Sequence, residues 1–388
     1  MKASALADRD PVIVDVVRTP VGRRNGALRE WHAAALLAQV LGAVLARNGV
    51  PGSDVDDVVA GCATQVGEQA GNIARTALLM ADLPFTVPGT TVQRACGSSQ
   101  QAIHFADNLI RSGTCDVVIA GGVELMSTTQ GGNDDTRYGR RYPESLVERF
   151  SMPSMGIAAE RIAAHWKLER PYLDELALRS HALSAQAQDS GRLARQMIPV
   201  TGVDGQVVAH DEGVRRDTSL EKLATLKPSF REDGRVTAGN ASQVSDGAAA
   251  VLLMTAAKAR EYGLRARAVL RAQYVVGVDP AMMLTGPIPA TQQILARSGL
   301  ALEDIDLFEI NEAFASVLGA WLAEIKPDLS RVNVNGGSIA VGHPLGSTGA
   351  RLMAGLVDEL ELRGGLYGLQ SMCCGGGLGT ATIVERVE

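Results

Sequence analysis

The cysteine with the clearest chemical potential stands at the junction of a strand-like run and a helical pattern. Cys96 lies in residues 92–101, Val-Gln-Arg-Ala-Cys-Gly-Ser-Ser-Gln-Gln. A thiol there faces the N-terminus of the following helix, where free N–H groups and the helix dipole favour a thiolate. Gly97 leaves room for an incoming substrate. These features predict an activated nucleophile; a small buried cysteine at a tight turn is the alternative that the residues alone leave open.

A single histidine stands in a glycine-rich loop. His343 belongs to residues 335–349, Asn-Gly-Gly-Ser-Ile-Ala-Val-Gly-His-Pro-Leu-Gly-Ser-Thr-Gly. Its imidazole is a candidate base for a thiol proton. The loop is neither a phosphate loop nor a dinucleotide fingerprint, because the Gly-Lys-Ser/Thr step and the G-x-G-x-x-G spacing are absent. A structural histidine remains the alternative.

Two further segments follow strand-like runs and carry thiol or amide side chains. Cys373 and Cys374 precede a triple glycine, whose backbone N–H groups are candidates for an oxyanion hole. Asn311 begins the segment Asn-Glu-Ala-Phe-Ala and is a candidate for orienting a water or His343. Ligands of open α/β sheets bind beyond the carboxyl ends of the strands, so the four segments are predicted to form one site.

Short β-branched runs alternate with helical patterns in the first third of the chain. Residues 12–17, 55–60 and 116–120 are predicted strands, and residues 72–80 and 99–110 are predicted helices. The strands are almost wholly apolar, which indicates an α/β fold with a covered and largely parallel sheet.

The last third repeats this outline. Residues 298–309 match residues 48–59 in their glycine stop, acidic turn and strand, and residues 332–337 then take the place of residues 91–96. An internal duplication of an α/β unit is therefore predicted. Between the halves, the polar chain from about residue 127 is interpreted as an inserted lobe.

Composition excludes several classes of function. The 388 residues carry a net charge of −6, which argues against a nucleic-acid partner. No apolar run approaches the ~18–20 residues that cross a membrane, and the polar N-terminus is unlike a secretory signal. Five scattered cysteines suit a reducing cytoplasm, and none has zinc-site spacing, so we expect no metal.

Together these motifs give the chain a recognisable family resemblance. It resembles the thiolases, acetyl-CoA acetyltransferases and 3-ketoacyl-CoA thiolases, over nearly its whole length. The resemblance rests on the Cys96 segment, on residues 311–315, on Gly-His-Pro-Leu-Gly at residues 342–346, and on Cys373 before the triple glycine. It implies a duplicated five-layered α-β-α-β-α thiolase fold with an inserted loop domain.

The resemblance also implies catalytic roles. Cys96 is expected to carry the acyl group as a thioester, His343 to activate it, and Cys373 to act as the acid and base toward the acetyl-CoA enolate. One oxyanion hole is expected from His343 and a water held by Asn311, and the other from the backbone N–H groups of Cys96 and Gly375. Two oxyanions develop when the carbon–carbon bond breaks, so two such holes are chemically reasonable.

Coenzyme A is implied as a co-substrate, with no covalently bound cofactor. The loop domain, residues 127–244, is expected to bind it. The first half spans residues 1–126, completed by about 245–270, and the second spans residues 271–388. Arg215 and Lys222 are assigned to the nucleotide end, with simple surface charge as the alternative, and Phe230 and Ser242 to the pantetheine. The substrate pocket is assigned to Ser154, Met155, Met283 and Phe314.

The sequence departs from short-chain biosynthetic thiolases at one motif. Ser154-Met-Gly stands where those members usually have His-Met-Gly. Residues 98–101 and 211–227 are similar to actinobacterial thiolases of lipid and sterol breakdown. We therefore expect ping-pong cleavage of a 3-ketoacyl-CoA, in the degradative direction, by a cytoplasmic homodimer or homotetramer.

Three alternative functions share part of this pattern. A short-chain acetoacetyl-CoA thiolase would share every catalytic motif. A decarboxylating ketoacyl synthase shares the fold, but the third catalytic position here matches a thiol, Cys373. A non-catalytic lipid-binding or assembly subunit would be expected to lose the pair Asn311 and Glu312 or one of the thiols. Acyl-CoA esters are accordingly the expected partners, with no nucleic acid and no membrane.

Overall fold

The structure is a computed structural model that describes residues 6–129 and 139–387. Its strands form one continuous sheet and a small hairpin: β1 Pro11–Arg18, β2 Gly22–Arg23, β3 Asp57–Gly61, β4 Gly89–Val92, β5 Val117–Leu125, β6 Val200–Thr201, β7 Val207–Val208, β8 Ser245–Thr255, β9 Ala268–Gly277, β10 Leu307–Ile310, β11 Tyr367–Cys374 and β12 Leu378–Arg386. The strands predicted at residues 12–17, 55–60 and 116–120 correspond to β1, β3 and β5.

Helices cover the sheet and form most of the segment between the halves. The α-helices are α1 Ala33–Asn48, α2 Ile73–Met80, α3 Ser98–Arg111, α4 Met126–Thr129, α5 Glu144–Val147, α6 Met155–His165, α7 Arg170–Asp189, α8 Leu220–Ala224, α9 Ala256–Glu261, α10 Pro287–Ser298, α11 Ala315–Ile325, α12 Ser338–Val341 and α13 Thr348–Arg363. Single 3₁₀ turns occupy Gly52–Asp54, Gly67–Gln69, Leu302–Asp304 and Leu329–Arg331, and a longer 3₁₀ segment occupies Pro280–Thr285.

Three layers of helices enclose the two halves of the sheet. Helices α3 and α13 lie between the halves, where Ile103 and Met353 share one buried cluster with strands of both. Helices α1 and α2 cover the outer face of the first half. Helices α10 and α11 cover the outer face of the second half. The predicted α-β-α-β-α arrangement is thus confirmed.

The coverage of both faces explains the continuous apolar strands. Successive side chains of a strand point to opposite faces. In β5, Val117 and Ile119 pack under the outer helices, whereas Val118 and Ala120 face the central layer. Because neither face meets water, the alternation of apolar and polar residues expected of a half-exposed strand is missing.

The prediction of a largely parallel sheet was wrong. Strand β3 is parallel to β4 and β5, and β10 is parallel to β11. The pairings that involve β1, β8, β9 and β12 are antiparallel. An antiparallel strand covered by helices on both faces is as apolar as a parallel one, so hydrophobicity alone could not distinguish the two.

Both halves have the same strand order. The sheet runs β4-β3-β5-β8-β1 in the first half and β10-β11-β12-β9 in the second, and the halves meet where Ile13 of β1 pairs with Ala268 of β9. A parallel bridge from Phe308 of β10 to Val332 stands where the first half has β4. This repeat confirms the predicted duplication.

An aspartate fixes the same register in each half. The Asp56 carboxylate accepts from the backbone N–H of Val117 at 2.9 Å, at the start of β5. The Asp306 carboxylate accepts from the backbone N–H of Tyr367 at 3.0 Å, at the start of β11. Because Asp56 and Asp306 make the same bond, residues of the two halves can be matched one by one by counting from these two aspartates.

The segment between β5 and β8 packs mainly on the second half. Helices α6, α7 and α8 contribute Ala159, Leu173 and Leu223 to the buried cluster that also contains Trp321 of α11. The domain boundaries given above stay a prediction. Within residues 6–129 and 139–387, no helix is both long and apolar enough to cross a membrane.

Candidate active site

A cavity of about 680 Å³ opens beside Cys96, at the junction of β4 and α3. Its wall includes Ser154, Met155 and Met283, three of the four residues assigned to the substrate pocket, together with Gly375. The structure therefore brings residues from the first half, the inserted segment and the second half to one opening.

Burial dominates the chemistry of the Cys96 thiol. The side chain is 2% exposed and packs against Leu352 and Met372. Burial raises its pKa to about 11, although the backbone N–H of Gly375 stabilises the thiolate. Burial thus opposes the thiolate that backbone N–H groups at this junction favour, and its effect on the pKa is the larger one. The thiol is protonated at neutral pH and needs a base to become a nucleophile.

Gly97 allows the end of β11 to approach this junction. A Cβ atom at Gly97 would lie 2.7 Å from the sulfur of Cys374, so a side chain there would collide. Cys373 is fully buried next to it. Burial raises the pKa of the Cys373 thiol well above its usual value, and the nearby sulfur of Cys96 adds to the rise. Cys373 thus stays protonated at neutral pH, as a proton donor must.

The hydrogen bonds of His343 define its tautomer. Thr348 donates its hydroxyl proton to the carbonyl oxygen of Pro344 at 2.7 Å, so it accepts from Nδ1–H of His343 at 2.8 Å. The other ring nitrogen, Nε2, is therefore the one with the lone pair, and it lies 3.3 Å from the Asn311 amide nitrogen. Gly342, with φ +113°, permits the turn that presents the imidazole.

A buried chain of donors orients Asn311. Arg351 donates to the hydroxyl of Ser338 at 2.8 Å, and that hydroxyl donates to Oδ1 of Asn311 at 2.6 Å. The amide nitrogen must then point toward His343. Burial, followed by the charge of Arg351, lowers the pKa of His343 to about 3. The imidazole is neutral at neutral pH and can accept a proton on Nε2.

Glu124 is a buried carboxylate that the sequence analysis missed. It accepts backbone N–H bonds from Ala63 at 2.9 Å, Thr64 at 3.0 Å and Gly346 at 2.9 Å. Ala63 and Thr64 line the cavity, and Gly346 belongs to the loop of His343. One side chain thereby links the cavity wall to the candidate base. A lone acid in the apolar run of β5 was the signal that could have revealed it.

The two cationic residues assigned to coenzyme A line a second cavity. Arg215 and Lys222 border about 210 Å³ of space together with His181 and Gln243. Lys222 is exposed and pairs with Asp217 at 2.7 Å. A charged ligand in this cavity would compete with that exposed pair, which contributes little stability.

The remaining assigned residues lie around the start of α6. Phe230 packs so closely on Gly156 that a Cβ atom there would lie 2.1 Å from the ring. The Phe314 ring meets the Phe230 ring edge-on, with centroids 6.0 Å apart. Ser242 donates its backbone N–H to Ala313 at 2.9 Å. Phe314 is not among the residues that line the 680 Å³ cavity, and its assignment to the substrate pocket stays a prediction.

The cavity wall also contains residues that were not predicted from the sequence to belong to the site. Arg140, Arg141 and Tyr142 line it beside Met152. No periodic pattern marks this segment, and its two adjacent arginines were the only available signal. Among the residues that the structure describes, no group of His, Cys, Asp and Glu side chains is arranged to hold a metal ion.

Comparison with known proteins identifies the family. Family models of the thiolase N-terminal domain and the thiolase C-terminal domain match residues 11–257 and 264–386. The chain belongs to the thiolase family. It is therefore an acyltransferase, and the resemblance seen in the sequence is confirmed.

Similar proteins carry several thiolase names. A steroid 3-ketoacyl-CoA thiolase of Mycobacterium tuberculosis is 46% identical over 97% of this chain and 94% of that protein. The 3-oxoadipyl-CoA/3-oxo-5,6-dehydrosuberyl-CoA thiolase of Escherichia coli is 44% identical over 98% of this chain and 100% of that protein. The Bacillus anthracis acetyl-CoA acetyltransferase structure superposes with a TM-score of 0.90 at 41% identity, covering 99% of this chain and 100% of that one.

Proposed function

We propose that this thiolase cleaves 3-ketoacyl-CoA esters with coenzyme A, giving acetyl-CoA or propionyl-CoA and a shortened acyl-CoA. Relatives named 3-ketoacyl-CoA thiolase support this reaction. The observation that carries the residue assignment is that Cys96 lines the cavity, with the Gly375 N–H directed at its sulfur and the Cys373 thiol nearby. The reverse reaction is a Claisen condensation.

The first half-reaction begins with a proton transfer. His343 takes the Cys96 proton on Nε2, and the thiolate attacks the 3-keto carbon of the substrate. The oxyanion that forms is held by the backbone N–H groups of Cys96 and Gly375, both of which face the Cys96 sulfur. The bond between C2 and C3 then breaks, leaving the acyl group on Cys96.

The leaving group is the enolate of acetyl-CoA or propionyl-CoA. Its oxygen is stabilised by the newly formed Nε2–H of His343 and by a water held on the Asn311 amide. Cys373 gives its proton to C2 of the enolate, which completes acetyl-CoA. The raised pKa of Cys373 favours this role, because the thiol is available as an acid at neutral pH.

The second half-reaction restores the enzyme. The incoming coenzyme A thiol gives its proton to the Cys373 thiolate and attacks the thioester on Cys96. The Cys96 thiolate leaves and recovers the proton from His343. Every proton that Cys96, His343 and Cys373 give up is returned by the end of the cycle. The ping-pong reaction therefore consumes no net proton or electron.

We assign the nucleotide end of coenzyme A to the second cavity, where Arg215 and Lys222 supply positive charge for its phosphates. Phe230 and Ser242 are assigned to the pantetheine arm. The close packing of Phe230 on Gly156 supports this, because Gly156 directly follows the cavity residues Ser154 and Met155. Residues 127–244 would then act as the coenzyme A-binding loop domain between the halves at residues 1–126 with 245–270 and 271–388.

Ser154-Met-Gly stands where short-chain biosynthetic thiolases usually have His-Met-Gly, which favours a degradative thiolase. The cavity of about 680 Å³ falls within the roughly 300–1,000 Å³ of pockets that hold drug-sized ligands. The free cysteines are consistent with a reducing compartment, and we propose the cytoplasm and a homodimer or homotetramer.

The test is CoA-dependent cleavage of two substrates side by side: acetoacetyl-CoA and a bulky 3-oxoacyl-CoA. We expect a much higher kcat/KM for the bulky substrate. A preference for acetoacetyl-CoA would assign the enzyme to the short-chain class. Folded protein that cleaves neither would instead support a non-catalytic subunit.

The nucleophile is tested in the same assay. Cys96→Ser should lower kcat by roughly 10⁴-fold or more, as loss of a covalent nucleophile does. Cys115→Ser is the matched control, because Cys115 is also free and buried but lies between α3 and β5, outside the cavity wall. An acyl adduct trapped on Cys96 with an acyl-CoA would support the assignment, and wild-type rates for Cys96→Ser would refute it.

A further inference from the structure

Among the described residues, the wall of the active-site cavity carries charge of one sign only. Arg140 and Arg141 contribute two guanidinium groups to it, and no Asp or Glu is found among the described residues that line it. The rest of the wall is apolar or uncharged, with Met152, Met155 and Met283 on it. A neutral alkyl chain would gain nothing from two cations at this position.

The two guanidinium groups differ in their surroundings. No described residue forms an ion pair with Arg140, whose side chain is exposed. The Arg141 guanidinium lies over the ring of Tyr142, 5.3 Å from its centroid, which limits its orientation. Arginine is the cation best suited to a carboxylate, since its planar fork donates two parallel hydrogen bonds.

We propose that the acyl chain accepted by this enzyme ends in a carboxylate, which Arg140 binds with support from Arg141. The substrate class would be 3-oxo-dicarboxylic acid mono-CoA esters. This inference rests on the function proposed above and adds the identity of the far end of the substrate.

The two parts of the wall match the two parts of such a substrate. The methylene carbons between the 3-keto group and the far end would contact the methionine side chains, whose flexible thioethers adapt to different chains. The terminal carboxylate would reach the guanidinium groups. The Escherichia coli relative is named for 3-oxoadipyl-CoA and 3-oxo-5,6-dehydrosuberyl-CoA, both of which are CoA esters with a free carboxylate.

A cation near an acyl-CoA site has a second use, because coenzyme A itself is an anion. The cavity with Arg215 and Lys222 already provides positive charge elsewhere for the phosphates. Arg140 and Arg141 instead line the cavity beside Cys96, where the acyl group must enter. This placement favours the acyl carboxylate over the nucleotide, and the experiment separates the two.

The experiment compares substrates of equal length that differ only at the far end. The six-carbon pair is 3-oxoadipyl-CoA and 3-oxohexanoyl-CoA; the eight-carbon pair is 3-oxosuberyl-CoA and 3-oxooctanoyl-CoA. In at least one pair, we expect the wild-type kcat/KM for the carboxylate-ended ester to exceed that of its methyl-ended partner by roughly 10-fold or more. Both esters release acetyl-CoA, so one assay reports both.

Variants then assign the preference to the arginines. Arg140→Gln should lower kcat/KM for the carboxylate-ended ester by roughly 10-fold, mainly through KM, and shift the methyl-ended ester by less than ~3-fold. Arg140→Lys should keep part of the preference, and the Arg140→Gln, Arg141→Gln double variant should lose more. Arg149→Gln is the control: Arg149 is an exposed arginine nearby that stacks on Phe150 and lies outside the cavity wall.

Each other outcome has a distinct meaning. Equal kcat/KM for both members of both pairs in the wild type would overturn the proposal and leave the 3-ketoacyl-CoA thiolase function standing. An Arg140→Gln variant that weakens both esters equally, or that raises the KM of free coenzyme A, would overturn it by assigning the guanidinium to coenzyme A. Folded enzyme that cleaves none of the four esters would refute the proposed function and this inference with it.

Discussion

The two halves of this thiolase build the same strand-to-helix junction and fill it differently. In the first half an isolated bridge joins Arg94 and Cys96, and α3 begins two residues later. In the second half the same kind of bridge joins Val334 and Gly336, and α12 begins two residues later. The counterpart of the candidate nucleophile is therefore a glycine.

The helices that follow the two junctions also differ. Helix α3 continues without a break for 14 residues. Helix α12 ends after four residues. A loop that contains His343 separates it from α13, which lies in the central layer. The second half thus has an interrupted helix, and the interruption contains the imidazole of His343.

The other two candidate groups show the same asymmetry. Counting from the two anchoring aspartates, Cys373 on β11 corresponds to Val123 on β5, and Asn311 after β10 corresponds to Gly61 at the end of β3. Cys96, Cys373 and Asn311 are thus each matched by a glycine or an apolar residue in the other half, whereas His343 lies in a loop that interrupts the second half's helix. The duplicated scaffold supplies the geometry twice, but the reactive side chain occupies only one copy of each position.

The largest effect that would test this asymmetry is expected at Cys373. Cys373→Ala should slow carbon–carbon cleavage by roughly 10²–10⁴-fold, since no acid remains to protonate the enolate. Exchange of labelled coenzyme A into acyl-CoA should fall much less, because the proton of the coenzyme A thiol, unlike the proton on C2, exchanges readily with water when Cys373 is absent. Cys374→Ala is the matched control, since the neighbouring thiol approaches Gly97 at the start of α3. Equal loss of both reactions would show that Cys373 supports the nucleophile instead.

The second test concerns the glycine that replaces the nucleophile. Gly336 has φ +72°, and a Cβ atom there would lie 2.3 Å from the Ser180 carbonyl oxygen. Gly336→Ala should lower the free energy of unfolding by about 2–4 kcal/mol, from backbone strain and overpacking. Cys96→Ala should lower it by only about 1 kcal/mol. Chemical denaturation of both variants measures the difference, and similar values would mean that the junctions tolerate side chains equally.

The sequence was sufficient for the parts of this comparison that depend on local pattern. The strand and helix periods predicted β1, β3, β5, α2 and α3, and the glycine and acidic signals predicted the repeat. The alignment of residues 332–337 with 91–96 was displaced by one residue, however, because it matched Cys96 to Gly337. The bridges show that Gly336 is the counterpart, and only backbone pairing could fix that register.

The sequence could not predict the nonlocal features of the site, for a different reason. The antiparallel pairing of β8 and β12, the burial that raises the Cys96 pKa, and the bonds of Glu124 all depend on which segments meet in space. Helix-terminus reasoning considered one favourable contribution to the thiolate, while desolvation by the surrounding core was larger. Sequence motifs therefore located the candidate residues but not their protonation states.

A smaller effect is expected where Glu124 ties the halves together. Glu124→Gln keeps the shape but replaces an acceptor-only carboxylate with an amide that cannot accept on both ends. We expect kcat to fall about 10-fold as the His343 loop shifts, a typical cost of losing a positioning contact. Glu160→Gln is the control: that buried carboxylate also accepts two backbone N–H bonds, from Arg235 at 2.9 Å and Val236 at 2.8 Å. If both variants lose stability alike but neither loses kcat, Glu124 has no positioning role.

The smallest expected effect is in the pH profile of kcat/KM. We expect no fall in kcat/KM on the acid side near pH 6.5. An ordinary histidine base with a pKa of about 6.5 would lose roughly 10-fold in kcat/KM at pH 5.5, because only the neutral imidazole accepts a proton. Burial and Arg351 lower the pKa of His343 to about 3, so protonation starts far below that pH. The profile of kcat/KM should therefore stay flat within about 2-fold from pH 7 to pH 5.5.

Arg351→Gln sharpens the same test. Arg351 is the second cause of the low pKa after burial, so its removal should move the acid limb of kcat/KM upward toward pH 6.5. Circular dichroism at each pH would separate titration from acid unfolding. A wild-type inflection near pH 6.5 with intact structure would mean that the imidazole is solvated in solution. The loop inserted after α12 would then be open, and the second half would hold its base less tightly than the first half holds its nucleophile.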